Sequence, residues 1–235
     1  MEFGTLTCLR TVVLFGVLTI PVRLAAQNAS SEIITFDAPG ASTAAGSGQG
    51  TFPDGINDGG TITGHYIDSH NVNHGFLRNA GGGEFITFDA PGAGTTAGSG
   101  QGTFPKGINK VGAITGRYVD AHNVNHGFLR SPGGDKLIRF DAPGAGTTAG
   151  SGQGTFPDGI NEAGAITGHY IDGNNVNHGF LRNAGGGEFI TFDAPGAGTT
   201  GAGFGTFPEG INQVGAITGR YVDAHNVKHG FLRTP

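Results

Sequence analysis

Tryptophan is missing from this chain, and cysteine and methionine occur once each. A single cysteine cannot close an intrachain disulfide, so stability has to come from a packed core or a bound ion. Charge is scarce, at 13% of residues with a formal net charge of −5. That balance argues against a nucleic-acid partner, which calls for clustered Lys and Arg. It also argues against disorder, which goes with high charge and few aromatics. No apolar run reaches the ~20 residues that a membrane-spanning helix needs. No segment carries the 3.6-residue period of an amphipathic helix. Catalytic signatures are absent as well: there is no Gly-x-Ser-x-Gly elbow, no HExxH and no P-loop.

What the chain has is glycine (47 residues), proline (11) and phenylalanine (17). The glycine-rich composition is not collagenous, because glycine has no three-residue period. Residues 1–26 stand apart. Thr11–Ile20 is a short apolar run after Arg10, Pro21 breaks it, and Leu24-Ala25-Ala26 offers a cleavage site. This pattern predicts a signal peptide over 1–26, a short leader over 27–32 and an extracellular mature protein. Cys8 lies inside the signal segment, so the mature chain would hold no cysteine.

Everything beyond residue 31 is repetitive. FDAPGA begins at Phe36, Phe88, Phe140 and Phe192, and HGFLR begins at His74, His126, His178 and His229. A longer period is superimposed: GHYID occurs at Gly64 and Gly168, whereas GRYVDAHN occurs at Gly116 and Gly219. A two-repeat unit duplicated once explains both periods. Each repeat holds four short segments rich in β-branched and aromatic residues, seen in the second as Glu84–Asp89, Thr103–Asn109, Ala113–Asp120 and His126–Arg130. These lengths and compositions predict strands. Asn57, Asn109, Asn161 and Asn212 each stand three residues before a Gly, the pattern of a type I turn followed by a bulge.

Three tight hairpins followed by a long crossover, PGAGTTAGSGQG, define a four-stranded meander of the size of a propeller blade. Pro53, Pro105, Pro157 and Pro208 fall in the first strand of each, which suits an edge strand facing a channel. An extra strand at Ile33–Asp37 precedes the first unit, and the last unit stops one strand short at Pro235. The expectation is an all-β, four-bladed propeller-like domain over 33–235. Its blades would cover about 51–89, 103–141, 155–193 and 206–233, the last completed by 33–37 to close the ring.

The repeat, with GINDGGTITGHYID followed by HGFLR, resembles the bacterial secreted proteins named for a His-Ala-Phe tripeptide, the HAF repeats. Gly75, Gly127, Gly179 and Gly230 stand where that family has Ala. The resemblance covers Ser31 to Pro235 and implies an extracellular β-rich protein. It implies no catalytic residue.

In a propeller the hairpin between second and third strands shares a face with the crossover, and loops on a rigid scaffold are the usual place for binding. The hairpins supply candidate ligand-binding residues: Asp68, His70, Asn71 and Asn73; Asp120, His122, Asn123 and Asn125; Asp172, Asn174, Asn175 and Asn177; Asp223, His225 and Asn226. Asx-type turns explain the same Asp and Asn residues without calcium, since the Gly and terminal Glu of a calcium loop are misplaced. The recurring His residues are expected to hydrogen-bond neighbouring loops; no metal site is expected, a structural cation being the one ion left open. Asn57, Asn109, Asn161 and Asn212 are a candidate ring at a channel mouth. His65, Arg117, His169 and Arg220 share one position on the second strand and alternate with the longer period.

Near-identical repeats favour several equivalent weak sites over one catalytic centre, which needs unlike environments for unlike roles. The expected function is a secreted, non-enzymatic, multivalent carbohydrate-binding module for glycan or cell-envelope polymer, with no cofactor. The competing expectations are a structural matrix or surface protein without a small ligand, and a polysaccharide hydrolase.

Overall fold

Among the described residues fifteen strands form where β-branched and aromatic residues lie between Asn- and Gly-containing turns. They are described by a computed structural model covering residue 1 and residues 32–235. The expected signal peptide beyond Met1, and the leader up to residue 31, lie outside the described residues. The first meander consists of β1 (Gly50–Ile56), β2 (Ile62–Ile67), β3 (Asn73–Arg78) and β4 (Phe85–Phe88). The second is β5 (Gly102–Ile108), β6 (Ile114–Val119), β7 (Asn125–Arg130) and β8 (Leu137–Phe140). The third is β9 (Gly154–Ile160), β10 (Ile166–Ile171), β11 (Asn177–Arg182) and β12 (Phe189–Phe192). The last has only β13 (Gly205–Ile211), β14 (Ile217–Val222) and β15 (Lys228–Arg233). No helix among the described residues is long and apolar enough to cross a membrane.

Within each meander neighbouring strands are antiparallel. Successive meanders touch by one-residue parallel bridges, Asn73 to Gly102, Asn125 to Gly154 and Asn177 to Gly205. The proline-bearing first strands ladder along their length with one partner only, which is where a residue without an N–H is tolerated. The turns follow the sequence pattern. The Asn57 carbonyl accepts from Gly60 N–H at 2.9 Å and its Oδ1 from Thr61 N–H at 3.0 Å.

Each core is a small aromatic layer repeated along the chain. Phe76, Phe128 and Phe180 are fully buried, as are Ile114, Ile166 and Ile217. Phe88 meets Phe128 edge-on at 6.2 Å, so the fourth strand of one unit roofs the core of the next. Buried threonines close the seam. Thr63, Thr115 and Thr167 each donate to the carbonyl of the neighbouring buried Phe at 2.9 Å. Thr103, Thr155 and Thr206 accept from Ala90, Ala142 and Ala194 N–H at the same distance. Every unit is thereby tied to the FDAPG turn before it.

The expected ring closure is not found. The strand path is open, running from β1 to β15. Residues 33–37 carry no strand pairing. Phe36 packs on the first unit instead, against Phe76 at 6.4 Å and Phe85 at 6.0 Å, and Ala38 N–H donates to Thr51. The strand that a closed ring would cover, β15, leaves Leu232 71% exposed. The segment around Phe36 makes a fourth strand's contacts to the unit after it but not the ladder to the unit before it, so the one pairing that would seal the ring is missing among the described residues.

Glycine in the third strand reports this directly. A Cβ on Gly75, Gly127 or Gly179 would stand 2.9, 2.5 or 2.8 Å from the ring of Phe88, Phe140 or Phe192. At Gly230 the nearest atom is 4.0 Å away. Gly127→Ala is therefore expected to lower unfolding free energy by about 1–3 kcal/mol through overpacking. Gly230→Ala should stay within about 0.5 kcal/mol of the parent. Urea denaturation of the two variants checks the contrast, and equal losses would contradict the open edge.

Candidate functional site

The hairpins between second and third strands are built as the residues suggest, but most of their polar groups are spent internally. Asp68 Oδ1 accepts from His70 and Val72 N–H, both at 2.9 Å, and Asp120 repeats this with His122 and Val124. Asp172 does so with Asn174 and Val176, and Asp223 with His225 and Val227. Asn71, Asn123, Asn175 and Asn226 take the left-handed conformation, with φ between 59 and 62°. Asn123 and Asn175 also accept from Gln101 and Gln153 at 3.0 Å. Asn73, Asn125 and Asn177 are buried, and their amides clasp carbonyls of the following crossover. His70, His122, Asn174 and His225 are exposed on this face, yet each lies within 3.3–3.8 Å of the Asp of its own hairpin. The hairpins do lie against the crossovers, as Gly98 N–H donates to the His70 carbonyl at 2.8 Å.

The recurring histidines are clamped rather than free. His126 lies between Asp141 on Nδ1 at 2.9 Å and Asp120 on Nε2 at 3.4 Å, with Tyr118 stacked on the ring at 5.0 Å. The Asp141 hydrogen bond raises the His126 pKa above its ordinary value, outweighing burial, and Asp120 adds to the effect. Burial pushes Asp120 up, but the N–H groups of Val124 and His122 and the His126 ring together hold it below the usual carboxylate range. His74 and His178 have the same two-carboxylate clamp, through Asp89 and Asp68 and through Asp193 and Asp172. Among the described residues no group of three or more His, Cys, Asp or Glu is arranged to hold a metal ion.

The four asparagines expected at a channel mouth form a row, not a free ring. Asn57 donates to the Asn109 carbonyl at 3.2 Å, Asn109 to that of Asn161 at 3.2 Å, and Asn161 to that of Asn212 at 3.1 Å.

A different set of residues lines the cavities. Each first strand has a bulge after its proline, which leaves one residue outside the ladder: Asp54, Lys106, Asp158 and Glu209. A bulge re-aims the side chain it carries. Here it turns toward the second-strand residue of the alternating position. Asp54 lies 3.0 Å from His65 Nδ1, Asp158 lies 3.1 Å from His169 Nδ1, and Glu209 pairs with Arg220. Lys106 reaches back across the repeat boundary to Asp54 at 3.5 Å.

Phenylalanines interleave these groups. His65 stacks on Phe52 at 5.0 Å and tilts against Phe104 at 5.2 Å; His169 does the same with Phe156 and Phe207. Between them the Arg117 guanidinium lies 4.6 Å from Phe104 and 5.4 Å from Phe156, with Nε donating to Asn125. Burial lowers the Arg117 pKa, and the Asp158 and Asp54 carboxylates oppose that shift.

Two adjoining cavities result, of about 300 and 340 Å³, both lined by Lys106, Asp158 and His169. The first adds Asp54, His65 and Arg117, and the second adds Glu209 and Arg220. Together they make a groove crossing the repeats, with nearly balanced charge and aromatic walls. Its carboxylates accept hydrogen bonds, its cations donate them, and the Phe edges offer apolar contact. The bulge residues escape a reading of the sequence as isolated positions, because Asp, Lys and Glu between Pro and Gly look interchangeable. The available signal was the recurrence of Asp54 with His65 and of Asp158 with His169, two units apart.

The clamp on His126 sets a pH dependence. A raised folded pKa stabilises fully below the unfolded value of about 6.5 and is lost as pH rises through the folded value. The lowered Asp120 stabilises above about 3.9 and is lost as pH falls through its folded value. The melting temperature should therefore peak between these limits, and the alkaline fall should shrink in His126→Gln. An identical alkaline fall in both proteins would contradict the clamp. No family model matches the chain, and no curated protein matches it either.

Proposed function

We propose that this chain is a secreted, non-enzymatic binding module for an extracellular glycan or cell-envelope polymer, which lies in the groove rather than on the hairpin loops. We read the four units as consecutive propeller-type blades, on the side-by-side packing of their first strands. The observation that carries the function is the recurrence of one chemical set, acid, His and Phe, at Asp54–His65 and again two units on at Asp158–His169. A polymer with its own repeat can engage both sets at once, and linked weak contacts raise affinity without any new contact type.

Hydroxyl-rich chains suit such walls, since they donate to carboxylates, accept from Arg and Lys, and lay ring faces against aromatics. Each of the two acids has a His on its Oδ2, while Asp54 alone also pairs with Lys106. Acid–base hydrolysis calls for a pair driven apart by unlike environments, so the His partner common to both acids supports binding over turnover. The resemblance to HAF repeats supports an extracellular location. The groove needs no cofactor.

Pull-down on insoluble polysaccharides, followed by a glycan array, tests this. The chain should bind at least one polymer, and Asp54→Asn with Asp158→Asn should weaken it by about tenfold or more, the loss of about 1.4 kcal/mol. His122→Ala with Asn123→Ala should leave binding unchanged. Loss of binding in the hairpin variant alone would move the site to the loops. Sugar release by the parent, abolished in the Asp variants, would make the chain a hydrolase.

A further inference from the structure

The contacts that join one unit to the next, and those by which a fourth strand completes its meander, are each made three times along the chain, and each has one counterpart not made among the described residues. The parallel bridge occurs at Asn73–Gly102, Asn125–Gly154 and Asn177–Gly205, which leaves Lys228 and Gly50. The Asn row leaves Asn212 as a donor and the Asn57 carbonyl as the acceptor. The Gly–Phe contact leaves Gly230 and Phe36. The His–Asp pair leaves His229 Nδ1 and Asp37, since among the described residues His229 bonds only Asp223, through Nε2.

Both ends also expose the apolar groups that units elsewhere cover. On β15 Leu232 is 71% exposed, whereas Leu77 in the first unit is 5% exposed. On β1 Ile56 is 66% exposed, while Ile108 and Ile160 at the same position are packed into cores. Space confirms the vacancy at Gly50. A Cβ built on Gly50 would meet nothing closer than the Ser42 carbonyl at 3.9 Å, whereas on Gly102, Gly154 or Gly205 it would run into an Asn carbonyl.

We propose that the β15 end of one copy docks on the β1 end of a second copy, head to tail. The incoming Phe36-Asp37 segment completes the last meander as β4 completes the first. The chain's own segment does not fill this place: Phe36 makes the contact to the following unit that Phe88 also makes, but among the described residues no ring covers Gly230. A second copy brings the matching surface intact, with Phe36 and Gly50 presented together. Charge agrees, as Lys228 and His229 on the β15 edge meet Asp37 of the other copy. Such an interface is heterologous, so it either closes into a ring of copies or grows as a filament.

Sedimentation of the chain over a concentration series tests the proposal. The parent should run at a multiple of the chain mass, falling to one chain on dilution. Gly230→Phe places a ring in the docking slot, at a position where a Cβ meets nothing closer than the Gly219 carbonyl at 4.0 Å, and Leu232→Asp places a charge on the exposed edge. Each should weaken association by about tenfold or more, about 1.4 kcal/mol, with melting of the dilute protein unchanged. A parent that stays a single chain at the highest concentration reached would overturn the proposal. So would variants that associate as the parent does. A monomeric parent whose melting falls with Gly230→Phe would show that the chain closes on itself.

Discussion

The fold depends on a side-chain amide reaching one repeat ahead. Asn109 and Asn161 are buried, and each satisfies both the turn that it initiates and the carbonyl of the next Asn. A hydrogen bond of this kind is worth about 1 kcal/mol net, and an unsatisfied buried partner costs about 1–3 kcal/mol. The row therefore fixes how far and at what angle successive meanders sit. Cores this small cannot stand alone, and stability accumulates unit by unit as in other stacked repeats. The threonine seam does the same on the other side of each meander, tying every first strand to the turn before it.

The groove is a product of that stacking. Bulges after Pro53, Pro105 and Pro157 put one charged residue per unit on the same side. The spacing then brings Lys106 to Asp54 and wedges Arg117 between two rings of adjoining units. No single repeat contains the site. Its two-unit chemical alternation is the older duplication read out in space: Asp with His in the odd units, and Arg on the second strand of the even ones. The unmade contacts at the two ends have the same origin, because identical units stacked in one direction must leave one head and one tail.

Much of the architecture was legible from residue order. Strand positions within the four repeats came through within a residue or two, Ala113–Asp120 being β6 at Ile114–Val119, whereas the strand expected at Ile33–Asp37 is not formed. Turn chemistry at Asn57 and Asn109 was legible because Asn and Gly have so few ways to satisfy a tight turn. Closure was not legible. It depends on the rotation between units, which no local residue pattern encodes, and the matching termini fit an open stack as well as a ring. The hairpin residues looked like a site because Asp, Asn and His are common in sites. Asp68 and Asn73 instead satisfy their own backbone and the next crossover. The groove was hidden because its acids come from bulges, whose side-chain direction follows from register and not from composition.

Amide hydrogen exchange on dilute protein measures unit coupling most directly. If each meander is held by the next, protection should be greatest in β6, β7, β9 and β10, which have neighbours on both sides, and least in β14 and β15. Uniform protection from β1 to β15, or a β15 as slow to exchange as β7, would contradict the open stack.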